Sequence, residues 1–105
     1  MKEIIETSLF KKWLGGLRDR QARVRILQRL DRLQAGLAGD TKPIGEGLSE
    51  LRIDYGPGYR VYYMQRGSIV VILLCGGNKR DQAKDITTAK KLAQAWGEEL
   101  WKNKK

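Results

Sequence analysis

Apolar side chains recur at helical spacing in three stretches, which predicts two helices near the N-terminus and one near the C-terminus. Thr7 or Ser8 supplies the N-cap of the first helix, which runs towards Leu14. The glycine pair Gly15-Gly16 then ends this helix, because glycine favours the backbone conformation found just past a helix.

The second predicted helix begins after Asp19, whose carboxylate suits an N-cap, and ends at Gly36 and Gly39. Its apolar residues are spaced by four, three and four positions, which predicts one buried stripe. The stripe consists of Ile26, Leu30, Leu33 and Leu37. Most of the remaining surface carries arginines, namely Arg18, Arg20, Arg23, Arg25, Arg29 and Arg32. This basic surface is either a docking site for a partner protein or a solvated face.

The third predicted helix runs from about Thr87 to Trp101, with Asp85 or Thr87 as its N-cap. Its apolar stripe consists of Ala89, Leu92, Ala93, Trp96 and Leu100. A basic tail, Lys102–Lys105, follows the helix.

Alternating, β-branched and aromatic residues predict four strands. A short part-apolar segment, Lys2–Glu6, has the character of an edge strand. Three further strands cover Leu48–Asp54, Tyr59–Gln65 and Ile69–Cys75. The last of these is apolar on both faces, so we expect it at the centre of the sheet with cover on both sides.

Two glycine-rich segments predict breaks between these elements. Residues 36–47 contain four glycines and a proline and are expected to form a loop. The sequence Gly76-Gly77-Asn78 is expected to end the last strand. The element order β-α-α-β-β-β-α predicts an α+β fold, in which two N-terminal helices pack on one face of a small antiparallel sheet. The C-terminal helix is then expected near the sheet edge or on the other face.

Length and charge narrow the class of protein. A chain of 105 residues predicts a single domain, residues 1–105. Lys and Arg number 21 against 12 Asp and Glu, which gives a net charge of +9. A domain this basic favours an acidic partner, and nucleic acid is the commonest one. The alternative is a basic surface that only keeps the protein solvated.

The absence of histidine and the single cysteine exclude several kinds of catalytic and metal site. The chain has no histidine, which removes the usual general base and most zinc sites. Its single cysteine, Cys75, ends an apolar run and is interpreted as a small buried hydrophobe in a cytoplasmic protein. The longest apolar run, Ile69–Cys75, is too short for a membrane span, and Met1–Glu6 lacks the pattern of a signal peptide. We therefore expect no metal, no cofactor and no membrane partner.

Four cationic residues are expected to meet at one end of the predicted meander. Arg52 lies on its first strand, Arg60 on its second, and Lys79 and Arg80 just past its third. A group of fixed cations suits a phosphate, because arginine forks match phosphate oxygens. Each residue also has a plainer interpretation, since Arg52 could pair with a neighbouring carboxylate and Lys79-Arg80 could form a solvated turn.

Three other residues are candidates to contact a substrate. Tyr55 lies in the turn beside the cations, whereas Tyr59 and Tyr63 have the spacing of core residues. Glu50 lies on the first strand of the meander, and Lys84 lies beyond the third strand. All three candidates could also take part in proton transfer.

Four segments together resemble a known protein family. They are Leu48–Ile53, Tyr55–Tyr63, Leu74–Lys79 and Gln82–Ile86. Their combination is similar to the HigB-like addiction module killer group of the RelE/ParE toxin superfamily, and the N-terminal helices fit as well. The resemblance implies the toxin of a type II toxin–antitoxin system, with a compact sheet and helices packed against it.

The resemblance also implies an activity and partners. Such a toxin is expected to be a metal-independent endoribonuclease that cuts messenger RNA on the ribosome and so inhibits translation. Its cognate antitoxin would carry a helix-turn-helix DNA-binding domain, and operator DNA would be contacted only through the antitoxin. Two alternatives stay open at this point: a ParE-like poison of DNA gyrase, and a non-catalytic relative that binds nucleic acid.

By position, the phosphate-holding roles of the family fall on Arg52, Arg60 and Arg80, with Lys79 adjacent. We expect Arg60 and Arg80 to stabilise the phosphate and Arg52 to position the substrate. Lys79 is then the candidate general base.

The chain departs from the RelE-like pattern at two positions. Ile86 stands where those enzymes often carry a tyrosine or histidine, and Glu50 stands at the first cationic strand position. The proton-transfer groups are therefore to be sought among Lys79, Lys84, Tyr55 and Glu50.

Overall fold

A computed structural model describes the backbone of residues 1–103 and the side chains of residues 1–96. Five strands and three helices follow one another in this part of the chain. Their bounds are β1 Glu3–Glu6, α1 Ser8–Gly15, α2 Arg20–Gln34, β2 Thr41–Gly45, β3 Leu48–Ile53, β4 Tyr59–Arg66, β5 Val70–Asn78 and α3 Gln82–Asn103. A short 3₁₀ turn, Lys79–Asp81, joins β5 to α3.

The strands form one sheet in the order β1-β5-β4-β3-β2. The predicted α+β class is confirmed, and β2 to β5 pair antiparallel as expected. The sheet is mixed rather than purely antiparallel, because β1 lies parallel to β5 at the other edge. This pairing follows from the chain path, since two helices and three strands separate β1 from β5 and no hairpin joins them.

Each face of the sheet is covered by its own hydrophobic core. On one face Phe10 of α1 and Ile26 of α2 pack against Leu51 and Val61 of the sheet. On the other face Ala89 of α3 belongs to the second core. The central strand β5 therefore has cover on both sides, as predicted, and α3 lies on the face opposite to the N-terminal helices.

The predicted caps of α1 and α2 are confirmed, whereas the cap predicted for the last helix at Asp85 or Thr87 is wrong, because both residues lie inside α3. The Thr7 hydroxyl accepts a hydrogen bond from the backbone N–H of Phe10 at 3.1 Å. The Asp19 carboxylate accepts from the N–H groups of Gln21 and Ala22 at 2.9 and 3.2 Å. Each cap pairs N–H groups that the first turn of its helix would otherwise leave unsatisfied.

One residue of the predicted α2 stripe is misplaced. Ile26, Leu30 and Leu33 are buried, but Leu37 is 66% exposed. The helix ends at Gln34, and Gly36 then takes a φ of +89°, which turns the chain before Leu37 could join the buried face.

The prediction of a loop over residues 36–47 is wrong, because this segment contains β2. Its glycines, lysine and proline have low strand propensity, which hid the element in the sequence. As an edge strand, β2 pairs on one side only, where the Arg52 N–H donates to the Asp40 carbonyl at 2.9 Å. Pro43 is tolerated there because an edge strand leaves half of its N–H groups unpaired.

The glycines at positions 76 and 77 do not end β5, which continues to Asn78. They are needed for space, since a Cβ on Gly76 would overlap the Trp13 ring. A Cβ on Gly77 would lie 2.8 Å from Cγ of Asp85.

The last helix begins earlier than predicted, at Gln82 rather than Thr87. The Asn78 side chain caps the preceding 3₁₀ turn by accepting from the Asp81 N–H at 3.2 Å, so the chain is already helical there. Leu100 and the tail Lys102–Lys105 lie outside the side chains that the structure describes. No helix in the described part of the chain combines the length and apolar character needed to cross a membrane.

Candidate functional site

The strand register brings three of the predicted cations to one end of the sheet. Arg52 of β3 lies directly opposite Arg60 of β4, and Arg60 lies opposite Gly77 near the end of β5. An open cleft of about 370 Å³ forms there, and its walls include Arg52, Arg60 and Lys79. We call this site the cationic cleft. Two carboxylates, Asp40 and Asp54, also line it.

The turn between β3 and β4 closes one side of the cationic cleft. Gly58 takes a φ of +79°, which only glycine adopts readily. A Cβ at this position would lie 3.3 Å from Cβ of Lys79 and 3.4 Å from Nη1 of Arg60. The glycine therefore lets the turn approach both cations closely.

Arg60 is held from behind by a fully buried carboxylate. Its Nε donates to Oε1 of Glu50 at 2.9 Å, and its Nη1 donates to the Tyr59 carbonyl at 3.2 Å. Glu50 is 0% exposed and also accepts a hydrogen bond at 2.6 Å from Nε2 of Gln82, in the first turn of α3. The Arg60 side chain is 11% exposed. These bonds fix the guanidinium orientation at the cleft wall.

Arg52 is paired more loosely. Its Nε and Nη2 donate to Oδ1 of Asp40 at 3.1 and 2.7 Å, and the side chains are 37% and 53% exposed. Its partner is therefore not Glu50 or Asp54, its neighbours on the strand. An ion pair this open to water contributes about 0–1 kcal/mol, so a phosphate could displace the carboxylate at little cost.

The other predicted site residues lie outside the cationic cleft. Arg80 is 87% exposed and approaches only its neighbour Asp81, at 3.8 Å. Lys84 is exposed on α3 and does not line the cleft. Glu50 contacts Arg60 rather than open space.

Tyr55 faces the α2 side of the sheet. Its hydroxyl donates to Oδ2 of Asp19 at 3.1 Å, and the guanidinium of Arg25 lies 4.7 Å above its ring. Partial burial and the Asp19 carboxylate raise the pKa of Tyr55 above its ordinary value. Both contacts make Tyr55 a structural link between the turn and α2.

Buried polar groups form a second layer beneath α3. Tyr62 and Cys75 lie beside Glu50 in register across the strands. Burial raises the pKa of the Tyr62 hydroxyl well above its ordinary value, and the Glu50 and Asp85 carboxylates raise it further. Burial also raises the pKa of the Cys75 thiol to about 12, with Asp85 adding to the effect. Neither group is an effective base or nucleophile at neutral pH, and Cys75 is buried as predicted.

Asp85 itself is perturbed. Burial, and next the charge of Asp81, raise the pKa of its carboxyl, while Lys84 lowers it. In the described part of the chain its buried Oδ2 has no hydrogen-bond partner. The carboxyl lies against Gly77, which explains why β5 carries glycine there.

Another groove, of about 560 Å³, lies at the opposite end of the β3–β4 hairpin, against α3. Its walls include Leu48, Met64 and Lys90, and Nζ of Lys90 already lies 3.5 Å from Oε2 of Glu46. Arg66 also lines it. Among the described side chains that line this larger groove, no group of cations converges, so size alone does not mark the site.

The cationic cleft suits an anion with several oxygens. Arg52 and Arg60 offer guanidinium donors that carboxylates hold in place, and the exposed Lys79 adds an ammonium group. Arginine forks match phosphate geometry. Among the side chains of residues 1–96, no three histidine, cysteine, aspartate or glutamate residues form a group that could hold a metal ion.

Sequence reasoning missed the carboxylate and amide groups that hold the cations. Asp40 falls in a segment predicted as loop, and Gln82 in one predicted to precede the last helix. No local spacing links either residue to its partner, because Gln82 and Glu50 are 32 positions apart. The one signal in the sequence was Glu50 itself, a carboxylate within a predicted strand. In the structure this position of β3 is buried, so the carboxylate needs a partner.

The fold and the cationic cleft together define a small basic α+β protein with a cleft lined by cations at one end of its sheet. The chain matches the family described as phage derived protein Gp49-like (DUF891) over residues 12–95, and it belongs to that family. This is a toxin-like family related to addiction modules. The chain is also 48% identical over 95 residues to a protein of Haemophilus influenzae that is described as uncharacterized. That alignment covers 90% of this chain and 96% of the relative.

Proposed function

We propose that this protein is the toxin of a type II toxin–antitoxin system and acts as a metal-independent endoribonuclease on messenger RNA. The observation that carries the proposal is the convergence of Arg52, Arg60 and Lys79 on one open cleft. Membership of a toxin-like family and the net charge of +9 support it, because the substrate is a polyanion. The resemblance to the RelE/ParE superfamily, and to its HigB-like group, supplies the reaction type.

The reaction needs stabilisation of charge on a phosphate. The 2′-oxygen of a ribose forms a bond to the adjacent phosphorus, and the bond to the 5′-oxygen of the next nucleotide breaks. The products are a 2′,3′-cyclic phosphate and a free 5′-hydroxyl. Negative charge builds on the non-bridging oxygens in the transition state, and preorganised donors that face those oxygens lower the barrier.

Arg60 is the principal donor in this proposal. Glu50 and the Tyr59 carbonyl fix its guanidinium before substrate arrives, so little reorganisation is needed during the reaction. Arg52 positions the substrate by exchanging Asp40 for a phosphate oxygen. Removal of one such donor costs about 10²–10³-fold in kcat in enzymes of comparable design.

Proton transfer requires one group to take the 2′-hydroxyl proton and another to protonate the 5′-oxygen. Lys79 is the candidate base, because it lines the cationic cleft beside Arg60. Tyr62 and Cys75 are unsuitable, since burial keeps both protonated at neutral pH. Such proton transfers add about 10²–10⁴-fold to a rate.

Arg80 takes a smaller role in this proposal than the sequence suggested. Its side chain is almost fully solvated, and a phosphate contact from such a position is screened by water and salt. Lys84 is also exposed and, unlike Lys79, does not line the cationic cleft.

The proposed partners follow from the toxin class. A cognate antitoxin with a helix-turn-helix DNA-binding domain would hold the toxin inactive in the cytoplasm and would alone contact operator DNA. The ribosome would present the messenger RNA, whose single-stranded backbone can enter an open cleft.

The test is brief induction of the wild-type chain in a bacterial host, followed by mapping of transcript 5′ ends within minutes. New 5′-hydroxyl ends inside translated frames are expected for the wild type and for Arg80→Ala, and none for Arg60→Ala. Equal levels of the wild type and the two variants serve as the control.

Two outcomes would redirect the proposal. Growth arrest with intact transcripts and DNA damage would indicate a gyrase poison. Cleavage by Arg60→Ala at the wild-type rate would show that the cationic cleft is not the catalytic site.

A further inference from the structure

We propose that α2 carries a second polyanion-binding site, a track that holds the RNA strand where it leaves the cationic cleft. The inference rests on the proposed function for the choice of RNA as the polyanion. The site consists of Arg25, Arg29 and Arg32, which we call the α2 arginine stripe. These three residues line a pocket of about 220 Å³ together with Gln28, Ile53 and Asp54.

The helix geometry aligns the three arginines. At about 100° per residue, positions 25, 29 and 32 fall within an arc of about 60° on one side of α2. Arg25 and Arg32 are about 10 Å apart along the helix axis at 1.5 Å per residue. In the described part of the chain none of the three forms an ion pair with a carboxylate. Aligned like charges without partners are costly unless an anion occupies the site.

Two of the three arginines, Arg25 and Arg29, are held in place before any ligand binds. The Arg25 guanidinium lies 4.7 Å above the Tyr55 ring, and Asp19 fixes that ring through its hydroxyl. Arg29 donates to the backbone carbonyls of Ala38 and Asp40 at 3.1 and 3.2 Å. Preorganised arginines lose less conformational entropy on binding than free ones.

The α2 arginine stripe is continuous with the cationic cleft. Asp54 lines both pockets, so the two share one wall at the end of β3. Arg29 also donates to the carbonyl of Arg52, the residue whose side chain faces the cleft. An RNA strand with one phosphate bound at Arg52 and Arg60 therefore reaches the stripe by passing Asp54.

The composition of the stripe favours RNA over a protein partner. Its single apolar residue, Ile53, is 3% exposed, so the pocket offers charge and almost no apolar surface. The cores of protein interfaces are instead depleted of charged residues and enriched in aromatic ones. The exposed apolar residues of α2, Val24 and Leu27, lie on a different side of the helix.

The test measures binding without cleavage. The probe is a 12-nucleotide oligouridylate carrying 2′-O-methyl groups, which lacks the attacking hydroxyl. Its affinity is measured from 0.05 to 0.5 M salt for the wild type and for the double variant Arg25→Gln/Arg32→Gln. The matched control is Arg20→Gln, an exposed arginine of α2 at least about 120° around the helix from each member of the stripe.

Loss of two phosphate contacts should lower the slope of log affinity against log salt by about 1.4, at about 0.7 per contact on a single strand. If the two proteins bind equally at 1 M salt, this corresponds at 0.1 M salt to about 25-fold weaker binding by the double variant. The control should keep the wild-type slope.

Equal slopes for the double variant and the wild type would overturn the inference. So would a wild type that ignores RNA but binds a polyglutamate peptide through the stripe, since the partner would then be an acidic protein. The predicted slope change without cleavage of unmodified RNA would support the track while contradicting the proposed function.

Discussion

Replacement of Glu50 tests whether the cationic cleft is built on a buried ion pair. The Glu50 carboxylate is 0% exposed and holds Nε of Arg60 at 2.9 Å, and the Arg60 side chain is 11% exposed. Glu50→Ala leaves the arginine charge without its partner in a nearly dry environment. Breaking a buried pair in this way costs about 3–5 kcal/mol, out of a total of about 5–15 kcal/mol for a domain.

The loss of stability from breaking the buried ion pair can be compared with the loss from breaking an exposed one. Asp40→Ala removes the carboxylate of the exposed pair with Arg52 and should cost only about 0–1 kcal/mol. Glu50→Gln keeps the side-chain shape and an acceptor for both Arg60 and Gln82, so we expect an intermediate loss of about 1–2 kcal/mol. Urea unfolding followed by tryptophan fluorescence measures all three variants, and an unchanged m-value validates the comparison.

The order of these losses is the decisive result. If Glu50→Ala and Asp40→Ala destabilise the protein equally, within about 0.5 kcal/mol, the buried pair does not hold the site together. A Glu50→Ala variant that is more stable than the Glu50→Gln variant would also show that the buried pair does not hold the site together.

Three further predictions follow from the structure. Gly76→Ala should lower the free energy of unfolding by about 1–3 kcal/mol through overlap with the first core, whereas Gly15→Ala, with open space around it, should be neutral or stabilising by up to about 1 kcal/mol. Between pH 8 and 10 the wild type should lose about 1 kcal/mol more stability than Cys75→Ala, because the unfolded thiol ionises near pH 9 and the folded one near pH 12. With RNA as substrate, Arg60→Ala should lower kcat by about 10²–10³-fold, and Arg80→Ala by less than about tenfold.

Each of these has a contradicting outcome. Equal stabilities of Gly76→Ala and Gly15→Ala in urea would mean that the Trp13 ring moves aside at no cost. If the stability of the wild type and that of Cys75→Ala fall in parallel as the pH rises, the pKa of the Cys75 thiol is not raised by folding. If Arg80→Ala lowers the single-turnover cleavage rate more than Arg60→Ala does, the phosphate binds nearer to the 3₁₀ turn than we propose.

The elements with regular hydrophobic spacing could be predicted from the sequence. The caps at Thr7 and Asp19 and the buried face of α2 depend on neighbouring residues, so local patterns were sufficient for them. The central position of β5 followed from its apolar character on both faces.

The missed features depend on contacts between distant segments. β2 is a strand only because β3 offers it a partner, and its own residues favour a loop. Gly76 continues β5 because Trp13, more than sixty positions earlier, occupies the space of a side chain. Neither feature can be predicted from neighbouring residues alone.

The candidate site was predictable only in part. Arg52, Arg60 and Lys79 meet at the cationic cleft because a short hairpin links the first two and β5 ends beside them. Arg80 is next to Lys79 in sequence yet points into solvent, since successive side chains of the turn diverge. Tyr55 is near the cations along the chain but packs against the first core, beneath Arg25 of α2.

The most direct test of the central claim uses purified protein and ribosomes that carry a labelled messenger RNA. A second messenger has a single 2′-deoxynucleotide at the cleavage position, which removes the attacking hydroxyl. We expect a 2′,3′-cyclic phosphate and a 5′-hydroxyl end from the first messenger, and no cut at the modified position of the second. Cleavage of both messengers at that position, or the same products from Arg60→Ala at the wild-type rate, would contradict the claim.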